Sequence, residues 1–323
     1  MTAGGSTLIV GTRGSALALW QTERVRALLL ASGHLTSRVE IKTTGDVILD
    51  VPLAAIGSKA LFTRQLDDAL LDGRIDLAIH SLKDLPTELP PGIVLAAVGA
   101  REDPRDALVG RGPLRWADLP HGAVVATSSL RRRAQLLHAR PDLQVVDIRG
   151  NVDTRLRKLD RNADWTATVL ATAGLVRLGH ADRIGERMSL EVMLPAPGQG
   201  ALAATVRAGD LPALAACRAA LHDESTGACV SAERAFLGRL EGGCQVPVAA
   251  HARLVGQVLR LQGRVISLDG RRIAEGERVG PAATADAGAE LGRALAEDLL
   301  RHGAGDILAE VRSVTPPAGR TTD

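Results

Sequence analysis

Aromatic residues are nearly missing from this 323-residue chain, which has no tyrosine, two phenylalanines and three tryptophans. Their scarcity removes the ring faces on which single-stranded nucleic acid stacks. A net charge of +2 gives no overall field to attract a polyanionic duplex. No nucleic-acid partner is expected. Cysteine is equally scarce: Cys217, Cys229 and Cys244 have no short spacing between them. They cannot form a paired disulfide framework and do not resemble a zinc site, so no metal is expected.

No run approaches the roughly 18 apolar residues of a membrane span. The opening "MTAGGSTLIVGTRGS" lacks the basic, apolar and small-residue regions of a signal peptide. The expectation is a cytoplasmic chain with no membrane partner, and nothing in it demands an oligomer, so a monomer is expected. Phosphate-loop and serine-elbow signatures are absent. The run "GQGALA" at 198–203 fits the looser dinucleotide fingerprint, but it follows "LPAP" rather than a strand and opens no good helix. No nucleotide cofactor is expected.

What is present is ordinary globular material, 46% hydrophobic and 24% charged, long enough for two or three domains. "TLIVGT" reads as a buried strand and "SALALWQTERVRALLLASG" as a helix capped by Ser15 and stopped at Gly33, with Leu17, Trp20, Val25 and Leu28 on one face. Strand then helix recurs in "AVVAT"/"SSLRRRAQLLHA", "QVVDIRG"/"NVDTRLRKLD" and "ATVLATAG"/"LVRLG". That alternation implies parallel sheets with helices on both faces. After residue 210 the pattern becomes helical to about 240. An antiparallel meander with an Asp269-Gly270 turn follows, then a helix near 282–302 and a frayed "TPPAGRTTD" tail. The fold class is therefore α/β, two lobes followed by a smaller α+β domain.

Arginine takes most of the positive charge; the only lysines are Lys42, Lys59, Lys83 and Lys158. Residues 131–161 hold eight arginines and one lysine against four aspartates, a balance of 9 − 4 = +5. Such a block suits a solvated face. Position argues for more. In open α/β sheets ligands bind beyond the carboxyl ends of the strands, where helix N-termini offer free N–H groups. Arg13, Arg131, Arg132, Arg149, Arg155 and Arg177 all fall at such strand-to-helix junctions. Guanidinium forks there suit a ligand carrying many carboxylates. Arg133, Arg140 and Arg157 read as surface or ion-pair residues.

Asp84, in "HSLKDLP", follows a strand and precedes Pro86 by two residues. It is either a turn aspartate or a carboxylate placed to stabilise developing positive charge and move a proton. Cys217 and Cys229 read as core cysteines on helix faces. Cys244 differs, because the two glycines before it leave its sulfur uncrowded, the setting of a nucleophile or an attachment point. A cysteine acyl transferase would need a distant histidine, such as His80 or His251, against it. A two-lobed solute-capture protein is the other alternative, although it predicts a secretion signal, of which the opening shows no sign, and has no need for Cys244.

The blocks "TRGSALALWQ", "TTGDVILD", "HSLKDLP", "REDPRDA", "ATSSLRRR", "DIRGNVDTRLRKLD", "PAPGQGA", "AERAFLGRLEGGCQVP" and "DILAEV" run in order along nearly the whole chain and together resemble the porphobilinogen deaminase, or hydroxymethylbilane synthase, family. The resemblance implies a transferase that joins four porphobilinogen molecules head to tail with loss of ammonia, then releases hydroxymethylbilane by hydrolysis. It implies a dipyrromethane cofactor on a thioether to Cys244, and Asp84 as the catalytic carboxylate. Lys83, Asp84, Ser128, Ser129, Arg131 and Arg132 are implied to hold the cofactor. Arg13, Ser15, Gln21, Arg149, Arg155, Arg177 and Gln199 are implied to handle incoming or growing rings, and Lys59 and Phe62 to belong to a flap.

The same resemblance implies two α/β lobes like those of periplasmic binding proteins, plus a third domain with a three-stranded antiparallel sheet. Domain 1 covers 1–99 with 200–217, domain 2 covers 100–199 and domain 3 covers 218–312, before a disordered tail at 313–323. Two positions depart from the family pattern: Ala55, often lysine, and Thr205, often acidic.

Overall fold

The computed structural model describes residues 7–43, 63–240, 246–281 and 284–314. Cys244, Lys59, Phe62, Ala55 and the tail from 315 onward lie outside the described residues. The first sheet is built from β1 (Leu8–Thr12), β2 (Thr36–Glu40), β3 (Leu77–Ser81), β4 (Ile93–Val98) and a strand from much later in the chain, Leu202–Arg207. Its order is β2-β1-β3-(Leu202–Arg207)-β4. The late strand runs antiparallel to both neighbours, pairing Ala203 with His80 on one side and with Val98 on the other.

The second sheet contains β5 (Asp106–Val109), β6 (Val124–Ala126), β7 (Gln144–Val146), β8 (Ala167–Ala171) and β9 (Glu186–Arg187), in the order β7-β6-β8-β5-β9. Here β5 is antiparallel to β8. Both sheets are thus mixed, where strand–helix alternation had implied wholly parallel ones. The physical reason is that the chain enters the second lobe through β5 and returns to the first through Leu202–Arg207, which we number β10. Each visiting strand arrives by a short connection rather than a helical crossover, so it runs against its neighbours.

Helix α1 (Ala16–Ala31) is capped as expected, its Ala18 amide donating to Ser15 Oγ. Its inward face is Ala18, Gln21, Thr22, Val25 and Leu29, one step round from the stripe read in the sequence. Trp20 is left 39% exposed. Helix α2 is Arg64–Leu71, α3 Leu130–Ala139, α4 Val152–Arg161 and α5 Thr172–Arg177. Ser129 Oγ caps α3 by accepting from the Arg132 amide, and Asn151 Oδ1 caps α4 by accepting from Thr154.

The helical stretch after 210 divides into α6 (Leu211–Leu221) and α7 (Glu224–Arg239), because Asp223 turns out of the first and caps the second. Strands β11 (Val248–Val255), β12 (Val258–Ile266) and β13 (Ile273–Pro281) form the antiparallel sheet. Asp269 and Gly270 sit in the longer loop that joins β12 to β13, with Gly270 at φ 76°. Helix α8 (Ala285–Leu299) lies against α7. A Cβ on Gly292 would come 2.1 Å from Ala232 O, and one on Gly288 2.4 Å from Ala228 O, so this packing requires glycine at both positions. Phe236, fully buried, anchors the third core with Leu259, Leu261 and Leu295.

"GQGALA" forms a turn with Gly198 and Gly200 at φ 75° and 93° that leads into strand β10. No helix N-terminus opens there to receive a pyrophosphate.

Candidate active site

The carboxyl ends of both sheets carry the residues singled out in the sequence. In the first lobe, β1 delivers Arg13 and Ser15, while β3 runs into a single 3-10 turn, Leu82–Asp84, that presents Lys83 and Asp84. Gln21 is buried and donates to Ser81 Oγ at 2.7 Å, tying α1 to the end of β3. In the second lobe, β6 leads to Ser128 and Ser129, β7 to Arg149, and β8 to α5, whose last residue is Arg177. Ser128 Oγ donates to Ile148 O and accepts from Ile148 N, so it fastens the two strand ends together.

Arg131 and Arg132 are buried rather than facing open solvent, and both converge on Asp106. Arg131 Nη1 reaches Asp106 Oδ2 at 2.7 Å and Leu194 O at 2.7 Å. Arg132 Nη2 reaches Asp106 Oδ1 at 2.7 Å, and its Nη1 reaches Val169 O at 2.9 Å. Gln199 Nε2 also donates to Asp106 Oδ1, at 3.0 Å, while its Oε1 accepts from Lys83 Nζ at 3.2 Å. Lys83, Gln199, Asp106 and the two arginines therefore form one continuous network that crosses from the first lobe to the second. Asp106 was not read from the sequence as a site residue. Its local signals are a charge opening the apolar strand "DALV" and its place in the block "REDPRDA". Despite desolvation, the adjacent guanidinium groups of Arg131 and Arg132 hold its carboxyl well below the usual range.

The cations crowd one another. Burial and then the charge of Arg132 push the Lys83 ammonium down to about 8, with Asp84 and Asp106 opposing. Burial, then Arg132 and Arg149, push Arg155 down to about 10, again opposed by Asp84. Asp84 thus acts on Lys83 beside it and on Arg155 of the other lobe, and it is itself exposed. Arg155 Nε donates to Gly150 O at 2.8 Å, and Lys158 Nζ donates to Arg149 O. Arg177 donates to Gly200 O at 2.6 Å and lies over the Trp20 ring, 5.6 Å from its centroid. This side chain bridges α5, the returning connection and α1.

His80 lies inside the first sheet, within 3.0 Å of Thr205 Oγ1, and burial followed by the nearby Arg13 charge pushes it down to about 3. It is neutral at neutral pH. Cys217 and Cys229 are core residues whose thiols burial raises to about 12 and about 11.

Behind the cleft a second buried carboxylate joins all three layers. Glu233 of α7 forms a bidentate pair with Arg101 at 2.6 and 3.0 Å, and accepts from the amides of Gly198 and Ala252, both at 2.7 Å. Arg101 and Gly198 belong to the two connections between the lobes, so Glu233 fastens both of them to the C-terminal layer.

Burial and neighbouring guanidinium charge lower the pKa of both Lys83 and Arg155, and a bound polycarboxylate would offset that positive charge. Among the described residues, Arg131 spends only Nη1 on protein partners. Its other N–H donors, with the capped start of α3, suit such a ligand. The residues present fit a dipyrromethane with its four acid side chains.

Comparison with known proteins points the same way. A family model described as porphobilinogen deaminase, dipyromethane cofactor binding domain, matches residues 8–215, and one for the C-terminal domain matches 227–301. A protein named porphobilinogen deaminase from Syntrophotalea carbinolica is 52% identical over 96% of this chain and 98% of its own length. Others of that name, from Rubrobacter xylanophilus and Moorella thermoacetica, are 54% and 53% identical over 96% and 94% of this chain and 99% and 96% of theirs. Among solved structures, an ABC-transporter periplasmic substrate-binding protein from Coxiella burnetii gives a TM-score of 0.44 at 16% identity, covering 67% of this chain and 92% of that one. That likeness is too distant to bear on function.

Proposed function

The chain belongs to the porphobilinogen deaminase family, and from that premise we propose how its own residues divide the work. The family reaction, condensation of porphobilinogen units with loss of ammonia to give hydroxymethylbilane, is this chain's reaction, and the family's covalently bound dipyrromethane is its cofactor. Solute capture and acyl transfer are set aside by that membership.

The observation that carries the assignment is the exposed Asp84 carboxylate, whose charge acts on Lys83 beside it and on Arg155 of the other lobe. Lys83, Ser128, Ser129, Arg131 and Arg132 hold the acetate and propionate groups of the cofactor. When bound, the dipyrromethane supplies the free pyrrole α-carbon on which the new chain is built. Cys244, which follows α7 in the sequence, is its thioether tether. Arg13, Ser15, Gln21, Arg149, Arg155, Arg177 and Gln199 take the acid groups of the incoming ring and lengthening chain, each bidentate guanidinium contact fixing a ring's orientation.

Asp84 accepts hydrogen bonds from pyrrole N–H groups. It offsets the positive charge that builds on the aminomethyl carbon of porphobilinogen as ammonia leaves, and it receives the proton lost afterwards. Lys59 and Phe62 are assigned to a covering flap. The domains follow the boundaries 1–99 with 200–217, 100–199 and 218–312, and because the last helix, Gly305–Val314, takes in Ser313 and Val314, the tail expected at 313–323 is shortened to begin after Val314. The chain works as a cytoplasmic monomer.

Intact-protein mass spectrometry of the wild type and Cys244→Ser tests the reading. The wild type should carry an excess mass of two pyrrole units that the variant lacks, and brief exposure to porphobilinogen should add further ring-sized steps. A wild type that stays unmodified after refolding with substrate would refute the tether.

A further inference from the structure

The C-terminal layer rests on α3, the helix that carries Arg131 and Arg132. The last turn of α3 meets the loop between β12 and β13, where His138 Nδ1 lies 2.8 Å from Gly270 O. A Cβ on Gly270 would come 2.4 Å from the His138 amide nitrogen and 2.6 Å from the Leu137 carbonyl carbon, so the loop sits on the helix backbone itself. A second contact comes from within β12. Arg264 Nη1 donates to Gln135 Oε1 at 3.2 Å and to Glu191 O at 3.1 Å, while its Nε is held at 2.8 Å by Glu275, its register partner on β13. The Ala250 amide of β11 donates to Pro195 O at 3.1 Å. The C-terminal sheet therefore grips both α3 and the segment 191–195.

Gln135 passes this grip on. It is only 2% exposed, and each end of its carboxamide is bonded to Leu194: Oε1 accepts from the Leu194 amide at 2.9 Å, and Nε2 donates to the Leu194 carbonyl at 3.0 Å. The same carbonyl accepts Arg131 Nη1 at 2.7 Å. Its two lone pairs thus serve Gln135 and Arg131 together. A continuous path of hydrogen bonds runs from the C-terminal sheet through Arg264, Gln135 and Leu194 to the Arg131 guanidinium.

We propose that Gln135 is a positioning residue for Arg131 and that Arg264 sets Gln135, so that docking of the C-terminal domain completes the cofactor site. Arg131 Nη1 has two acceptors, Asp106 Oδ2 and Leu194 O. Held by Asp106 alone, the guanidinium can swing about that contact; held by both, its other N–H donors keep one aim. The Arg264 charge strengthens the bond at Gln135 Oε1 and so stiffens the carboxamide that fixes Leu194. The domain that supplies the Cys244 tether thereby also orients a guanidinium for the cofactor's acid groups. This inference rests on the proposed role of Arg131 in holding the cofactor.

Intact-protein mass spectrometry of the full-length chain during refolding with porphobilinogen tests it in Arg264→Met, Arg264→Lys and Glu275→Gln, with Arg131→Met for comparison. Arg264→Met keeps the apolar stem and loses the donated bonds. It should gain the two-pyrrole mass at least fivefold more slowly than the wild type and, once loaded, keep the KM for porphobilinogen. Arg264→Lys should recover most of the loading rate, and Glu275→Gln should load normally. Wild-type loading in Arg264→Met where Arg131→Met is slow would overturn the positioning role alone. Wild-type loading in Arg131→Met would overturn the reading of Arg131 and this inference with it. Equal slowing in Glu275→Gln, or no recovery in Arg264→Lys, would mark a general loosening of the sheet and also overturn the proposal. Should Arg264→Met fail to fold, Gln135→Glu decides by the same measure, because it keeps the acceptor for Arg264 and puts a repelling oxygen against Leu194 O: slow loading is expected, and wild-type loading would overturn the proposal.

Discussion

Replacing Glu233 by glutamine removes one charge from a fully buried site while keeping the shape. In the wild type, the Arg101 guanidinium and then a contact from His251 hold the Glu233 carboxyl down to about 2 against a strong burial penalty. From the ordinary 4.5 that is a displacement of roughly two and a half pH units, or about 3 kcal/mol of stability at neutral pH. Breaking a buried pair from one side costs about 3–5 kcal/mol by independent reckoning, so the two figures agree. Arg101 would be left with its partner gone and its side chain only 11% exposed.

The expected loss in Glu233→Gln is thus about 3 kcal/mol by urea unfolding, or roughly 4–5 °C in Tm for a chain of this length. The sign with pH follows from the direction of the shift. Because the folded pKa is depressed, the contribution is fully present above the unfolded pKa and is lost as pH falls through the folded one. The wild-type advantage should hold constant above about pH 5 and shrink between about 4.5 and 2. A difference under about 1 kcal/mol at neutral pH, or one that persists undiminished at pH 2, would refute the electrostatic account of this junction.

Further outcomes follow from the same geometry. Asp84→Asn should keep the fold and the cofactor mass but lose roughly 10²–10³-fold in kcat, the usual scale for removing one group that stabilises transition-state charge; a tenfold loss or less would mean that Asp84 is a turn residue. With its ammonium pushed down to about 8, Lys83 loses its charge as pH rises through that value, so kcat/KM should fall across pH 7–9. Lys83→Arg should flatten this alkaline limb, and an unchanged limb would assign it to another group. Gly292→Ala, with its Cβ 2.1 Å from Ala232 O, should cost roughly 1–3 kcal/mol or more by separating α7 from α8, and a neutral result in thermal unfolding would show that the helices can slide apart.

Much of this molecule could be read from short stretches of chain. Strand–helix alternation, the Ser15 and Ser129 caps, and the placing of Arg13, Lys83, Asp84 and Arg149 after strands and of Arg155 in the first turn of a helix depend on hydrophobic period and capping chemistry. Both act within a few residues, so residue order alone settles them. The ordered motifs added the reaction and the cofactor.

Three-dimensional packing decided the rest. The antiparallel seat of β10 between β3 and β4, the buried face of α1, the division of the helical stretch at Asp223, and the partners of Asp106 and Glu233 depend on which distant segments meet. Asp106 bonds to Gln199, 93 positions away, and Glu233 to Arg101, 132 positions away. An ion pair of that kind leaves no local periodicity, because its strength comes from burial, and burial exists only once the lobes and the C-terminal layer have closed around it.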